Sequence, residues 1–190
     1  MSGNLHSAAK LGDLIFDIGQ RMSSKKLESY IIPQTTQLMM MLGKIRKAVS
    51  YIMDLSNRDI WYHILCLDFI LDTGFSVEDG NECYDALISA LESPMEMESE
   101  VFLRVLATTC VWKIRTGKPH DVWSDKLSEI DFLAPGDNFN NMVTALKILE
   151  FNVLKLVNID GVNHSLNRKV LGMFANLEKV SKRAYVILPR

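Results

Sequence analysis

The side chains of this 190-residue chain that could do chemistry are four histidines, three cysteines and a few clustered carboxylates. His6, His63, His120 and His164 are scattered, and none has the HExxH spacing that would bring two ring nitrogens to one metal ion. The sequence has no glycine-rich phosphate loop and no GxSxG turn around a serine nucleophile. We therefore predict no catalytic residues, no metal, no cofactor and no small-molecule substrate.

The three cysteines favour a structural role over a catalytic one. Cys66, Cys83 and Cys110 are odd in number and form no CxxC pair, so they fit neither a disulfide framework nor a metal knuckle. Each lies in an apolar helical segment, where a core thiol is the preferred interpretation and a nucleophile the alternative. Reduced, buried thiols are typical of an intracellular protein, so we expect the nucleus or the cytoplasm.

The charge is distributed unevenly along the chain. Residues 1–57 carry a net charge of +3 (7 basic, 4 acidic), residues 58–157 carry -9 (8 basic, 17 acidic), and residues 158–190 carry +4 (6 basic, 2 acidic). The acidic middle opposes a nucleic-acid surface there, although the basic C-terminal part could bind phosphates. The longest apolar stretch, Ile60–Leu71, is too short to span a bilayer, so we expect no membrane association.

Apolar residues recur every three or four positions along most of the chain, which predicts an all-α fold. The helix that follows Ser93 is the most apolar, so it is expected at the centre of a bundle. The adjacent methionines Met39, Met40 and Met41 predict that at least one of them faces solvent or a partner. The predicted helices are residues 11 to about 19 or 21, Gln34 to Leu55 opened by Pro33, Arg58 to Leu71, a helix capped by Ser76 with Asp79 three residues on and running to about Leu91, a helix opened by the Ser93–Glu96 capping box and running to about Thr116, Asp121 to Ile130, about Asn138 to Lys155, and Leu166 to about Ala184.

Three segments resemble parts of a cyclin box. Residues 69–82 are similar to its first helix and turn, residues 109–122 look like the end of its third helix, and residues 145–153 look like the end of its fifth. They occur in the family's order over residues 58–157. The resemblance implies a single five-helix cyclin-like box, with an N-terminal helical extension over 1–57 and a basic C-terminal helix or tail over 158–190.

The resemblance also implies a partner. In kinase-activating cyclins the third and fifth helices bind a helix of a cyclin-dependent protein kinase, and a lysine and a glutamate hold its backbone. The lysine corresponds to Lys113, with Ile114 beside it. On the fifth helix the surface would include Phe139, Met142 and Leu146. Lys113 could alternatively bind the carbonyls at the end of its own helix.

The chain departs from the family at important positions. Met142 stands where the family has the glutamate, and a thioether cannot accept backbone hydrogen bonds as a carboxylate does. His63 stands at the arginine of the family's substrate-docking patch. The leading interpretation is a non-enzymatic kinase-regulatory subunit, and the alternatives are a cyclin-fold protein-interaction scaffold and a nucleic-acid-binding cyclin fold.

Overall fold

A computed structural model describes residues 7, 10–14, 16–18, 21, 25–55, 59–92, 97–119, 121–130, 139–158, 168–173 and 175. Positions 25–31, 139, 140, 142 and 158 are described by their backbone only. Over these residues the regular structure is helical and no strand occurs, which confirms the all-α prediction. The principal helices are α1 (Lys25–Met41), α2 (Ile45–Met53), α3 (Ile60–Thr73), α4 (Gly80–Glu92), α5 (Ser99–Arg115), α6 (Val122–Glu129) and α7 (Phe139–Asn158).

The chain divides into two compact units, Met1–Ser93 and Pro94–Arg190. The first contains α1 to α4, and the second contains α5 to α7. The boundary between the units falls inside the segment that was compared with a cyclin box. The division into an extension, a box and a tail stays a prediction.

The single helix predicted over residues 34–55 is wrong. Two helices occupy this stretch, and Pro33 lies inside α1 rather than at its start. Gly43 ends α1 because it adopts φ +69, a left-handed conformation that is strained for any residue with a Cβ. The N–H groups of Gly43 and Lys44 donate to the carbonyls of Met40 and Met39, both at 2.9 Å, and close the turn. The apolar period continues across this turn, so periodicity alone could not reveal it.

In the first unit α3 is heavily buried, as its composition predicts. The Asp59 side chain accepts a hydrogen bond from the Tyr62 N–H and caps its first turn, and Gly74 with φ +74 ends it. Of the two residues predicted to cap the next helix, Asp79 rather than Ser76 lies at its start, where its side chain accepts the N–H of Asn81 at 2.8 Å. The buried residues of α3 are Tyr62, Ile64, Leu65, Cys66, Leu67, Asp68, Phe69 and Leu71.

A helical run over residues 10–14 and 16–18 contacts α2 through Tyr51. The Tyr51 hydroxyl donates to the Asp13 carboxylate, and the Phe16 and Tyr51 rings lie 4.3 Å apart between centroids. Phe16 is buried. The apolar residues that predicted this helix are largely on its outer face: Leu11, Leu14 and Ile18 are exposed.

In the second unit α5 forms the core, as predicted for the helix that follows Ser93. Every residue from 104 to 113 is buried, and α5 packs against both α6 and α7. The helix begins at Ser99, not at Pro94, and the predicted capping box over Ser93–Glu96 lies outside the described residues. It ends before Gly117, which has φ +69, so the predicted stop is confirmed.

The remaining helices of this unit follow the sequence closely. Helix α6 begins after Asp121 and ends at Glu129, as predicted. Helix α7 runs three residues beyond the predicted end at Lys155. Of the predicted C-terminal helix, residues 168–173 and 175 are helical.

Candidate functional site

The predicted partner-binding surface lies on α5 and α7, which pack against each other. Lys113 is only 7% exposed, and its ammonium group donates to the Asp121 carboxylate. The side chain therefore points into its own unit, rather than toward a partner or its own helix end. This ion pair was not predicted from the sequence, although Asp121 follows Lys113 by only eight residues, across the Gly117 turn.

The other residues of the predicted surface differ in their exposure to solvent. Ile114 is half-buried, and Leu146 is 43% exposed on the outer face of α7. Phe139 and Met142 belong to α7, but their side chains lie outside the described set. The structure thus leaves Leu146 accessible on this surface and commits Lys113 to an internal contact.

Asp121 has two roles at this point of the second unit. Its Oδ1 accepts the backbone N–H groups of Trp123 at 3.2 Å and Ser124 at 3.1 Å, and so caps α6. Its Oδ2 accepts from Lys113. Burial acts to raise the pKa of Asp121, but the hydrogen bonds from Lys113 and from the Ser124 backbone outweigh it and lower that pKa below its ordinary value.

The three thiols are buried, as predicted from the sequence, and none is in a disulfide. Burial raises the pKa of Cys110 to about 12. The hydrogen bond with Cys66, followed by burial, raises the pKa of Cys83 above its usual range. Thiolate is the nucleophilic form, so these environments disfavour nucleophilic chemistry at Cys83 and Cys110 near neutral pH.

The described residues lack two further kinds of feature. No group of three or more His, Cys, Asp or Glu side chains within them is arranged to hold a metal ion. None of their helices has the length and apolar character needed to cross a membrane.

A groove in the first unit was not predicted from the sequence. Its volume is about 560 Å³, and helix α2, helix α3 and the loop after α3 form its walls. Phe69 forms the floor and is 1% exposed, whereas Met53 at 61% and Phe75 at 67% exposed form the rim. The lining residues are Ile45, Arg46, Val49, Met53, Phe69, Phe75, Ser76 and Val77.

Helix α2 can form one wall because it has two apolar faces. Ala48, Tyr51 and Ile52 are buried and attach the helix to its unit. Ile45, Val49 and Met53 are spaced four residues apart, so they lie along a second face. This second face is the one that lines the groove.

The loop after α3 forms the opposite wall, and local hydrogen bonds hold it. The Thr73 hydroxyl donates to the Phe69 carbonyl at 2.6 Å and accepts the Phe75 N–H at 3.1 Å. The Ser76 hydroxyl donates to the Glu78 carbonyl, and the Tyr62 hydroxyl donates to the Glu78 carboxylate. These contacts fix Phe75 at the rim even though its ring is exposed.

Positive charge lies at one end of the groove. Arg46 is exposed and lines both this groove and a second recess of about 420 Å³ over the α1–α2 turn, which Lys44 also lines. Lys47 forms an ion pair with Asp13 at 2.5 Å, so its charge is directed to the helical residues 10–14. The groove therefore combines an apolar floor with a cationic end.

Part of this site had a signal in the sequence. The spacing of Ile45 and Val49 predicts one apolar face, and Met53, one turn beyond Val49, belongs to the same face. Met41 is 59% exposed, which confirms that one of the three adjacent methionines faces solvent. Phe75 had no such signal, because its position depends on Gly74 and Thr73 rather than on a helical period.

No protein-family model, no curated protein and no solved structure matches this chain. The cyclin resemblance thus rests on the residues that suggested it.

Proposed function

We propose that the chain is a non-enzymatic, intracellular protein-interaction subunit that binds an amphipathic helix of another protein in the α2–α3 groove. The observation that carries the proposal is the exposure of Met53 and Phe75 at the rim of an apolar concavity that is floored by Phe69. Large apolar side chains around a concave surface are characteristic of sites that bind helical peptides.

The energetics of such a complex are favourable. Complete burial of a Met or Phe side chain contributes about 1.5–3 kcal/mol, so the two rim residues together can contribute several kcal/mol to binding. Methionine adapts to irregular partner surfaces because its side chain is unbranched and polarisable. The loop that carries Phe75 is already hydrogen-bonded, which reduces the entropy that is lost on binding.

The charge at the end of the groove selects the kind of helix. Arg46 and Lys44 lie beside the apolar lining, so the partner helix is expected to carry Asp or Glu next to its apolar face. Opposite charges accelerate encounter and fix the direction of the bound helix more than they add affinity.

Fluorescence anisotropy with designed helical peptides tests this proposal. The probe is an amphipathic helix with Leu and Phe at i, i+3, i+4 and i+7 and with flanking Glu, and the comparison peptide has Lys in place of each Glu. We expect the acidic peptide to bind more tightly. Phe75→Asp or Met53→Asp should weaken its binding about tenfold or more, since each loses at least about 1.4 kcal/mol.

The matched control is Val157→Asp, because Val157 is an equally exposed apolar residue on α7 in the other unit. This variant should bind the acidic peptide like the unchanged protein. Arg46→Glu should reverse the preference between the two peptides. If neither peptide binds, or if Val157→Asp and Phe75→Asp lose equal affinity for the acidic peptide, the proposal is contradicted.

The second candidate is regulation of a cyclin-dependent-type protein kinase through α5 and α7. The exposure of Leu146 favours it, because an apolar side chain on α7 could bind a kinase helix. Lys113 is held by Asp121, so apolar contacts would have to replace the lysine contact of the family. When a purified kinase is added to the chain, the two should co-purify stoichiometrically, and Leu146→Asp should abolish this. Retention of the kinase by Leu146→Asp would exclude this surface.

A further inference from the structure

Two lysines converge on one serine in the second unit, and neither the groove nor the kinase surface involves them. The Lys155 ammonium donates to the Ser128 hydroxyl at 2.8 Å. The Lys169 ammonium donates to the Ser128 backbone carbonyl at 2.5 Å. Ser128 lies in the last turn of α6, while Lys155 belongs to α7 and Lys169 to the helical residues 168–173.

We propose that Ser128 is a phosphorylation site, and that Lys155 and Lys169 hold the phosphate and thereby fix residues 168–173 to α6. A phosphoserine carries about -1.5 to -2 charges near neutral pH and has three strong acceptor oxygens. Both ammonium groups already lie within hydrogen-bond distance of Ser128 atoms, so the cations need little rearrangement.

The helix end itself would otherwise oppose a phosphate. The C-terminal end of α6 carries the negative pole of the helix dipole, where an added anion is unfavourable. Lys169 donates to a carbonyl at that end and so offsets part of this field. Arg168, which is exposed, precedes Lys169 and adds a second positive charge to the same segment.

The hydroxyl is accessible to an enzyme through local opening. Ser128 is half-buried and donates to the Ser124 carbonyl at 2.8 Å, within a helix of eight residues. Terminal turns of such short helices open more readily than the core of a unit. Glu129 and Asp131 follow the serine, so a serine kinase with a basic peptide-binding site would recognise the segment.

The reaction is an ordinary phosphoryl transfer. The Ser128 oxygen attacks the γ-phosphorus of ATP, the bond between that phosphorus and its bridging oxygen breaks, and ADP leaves. The hydroxyl proton passes to the catalytic base of the kinase. The product is a phosphoserine within reach of the two lysines.

The first experiment treats the full chain with ATP and an acid-directed serine kinase and locates the phosphate by mass spectrometry. We expect phosphate at Ser128 and none at this position in Ser128→Ala. Modification that avoids Ser128 would overturn the assignment of the site.

The second experiment tests the clamp by ³¹P NMR of the chain with phosphoserine installed at position 128. The second pKa of the phosphate should lie about one unit lower in the unchanged protein than in the Lys155→Met/Lys169→Met double variant, because nearby cations favour the dianion. Lys126→Met is the matched control, since Lys126 also belongs to α6 but lies over the Trp123 ring at 4.4 Å. The same pKa in the unchanged protein and the double variant, or an equal shift from Lys126→Met, would overturn the clamp.

Discussion

The α2–α3 groove of the first unit and the Lys113–Asp121 pair of the second unit differ in which side chains they expose to solvent and which they bury. In the groove, large apolar side chains remain in water on a surface that the local hydrogen bonds of the loop hold in place. At the pair, a cationic side chain is 7% exposed and its charge is matched by a carboxylate of the same unit.

This difference indicates where binding capacity remains. When a partner covers an exposed apolar side chain, the burial of that surface favours binding. A buried, paired charge has already been desolvated and has its partner. A lysine at a helix end is therefore weak evidence for a binding site until its internal partners are known. The comparison favours the groove over Lys113 as the contact point for another protein.

The largest expected effect separates the floor of the groove from its rim. Phe69→Ala should reduce the free energy of unfolding of the first unit by roughly 3–5 kcal/mol, because it removes a fully buried ring and leaves a cavity. Phe75→Ala should change it by about 0.5 kcal/mol or less, since that ring is exposed. Urea unfolding followed by circular dichroism measures both.

For peptide binding, the order of the effects of Phe69→Ala and Phe75→Ala is expected to be the reverse of their order for stability. Phe75→Ala is expected to lose the acidic helical peptide while keeping its stability, so binding and folding can be read separately. Similar destabilisation by both substitutions would show that the rim is part of the core, and the groove would then offer no free surface.

Periodicity predicted much of the fold and little of the groove. The helical class and the burial of α3 and α5 follow from apolar spacing, and the end of α5 follows from Gly117. The helix end at Gly43 could not be predicted, because the apolar period of three to four residues runs through this position without interruption. A helix break of this kind depends on one left-handed residue, and a window of apolar positions is insensitive to it.

Pairs that are distant in sequence were not predictable from spacing. The bond from Tyr51 to Asp13 joins residues 38 positions apart, and the ion pair of Lys113 with Asp121 spans a turn. The kinase surface on α5 and α7 stays a prediction. Residue spacing could not show that the Lys113 ammonium group is paired with a carboxylate of its own unit.

The second prediction concerns the two members of the buried pair. Asp121→Asn should destabilise the second unit by roughly 2–3 kcal/mol, because asparagine can still cap α6 but leaves the Lys113 charge buried without its carboxylate. Lys113→Met should cost about 1 kcal/mol, since methionine fills the same apolar path and Asp121 is partly hydrated. Thermal unfolding of both variants and of the double variant measures the coupling between them.

Asp125→Asn is the control for this comparison, because Asp125 is an exposed carboxylate in the first turn of the same helix. It should change the stability by about 0.5 kcal/mol or less. The double variant should lose less than the sum of the two single losses. Strict additivity would mean that Lys113 and Asp121 do not stabilise each other, and Lys113 would then again be a candidate for partner binding.

The smallest expected effect is a difference in acid sensitivity that originates in the same pair. The folded protein lowers the pKa of Asp121 below its ordinary value of 3.8, so this carboxylate stabilises the second unit above that value. As the pH falls below 3.8 the unfolded chain binds the proton more readily than the folded chain, and the stabilisation is lost as the pH passes through the folded pKa. Asp121→Asn should therefore flatten the decline of stability as the pH falls below 3.8. Unfolding curves at a series of acidic pH values measure the slopes, and parallel curves for the unchanged protein and Asp121→Asn would show that the Lys113 contact does not stabilise the ionised carboxylate.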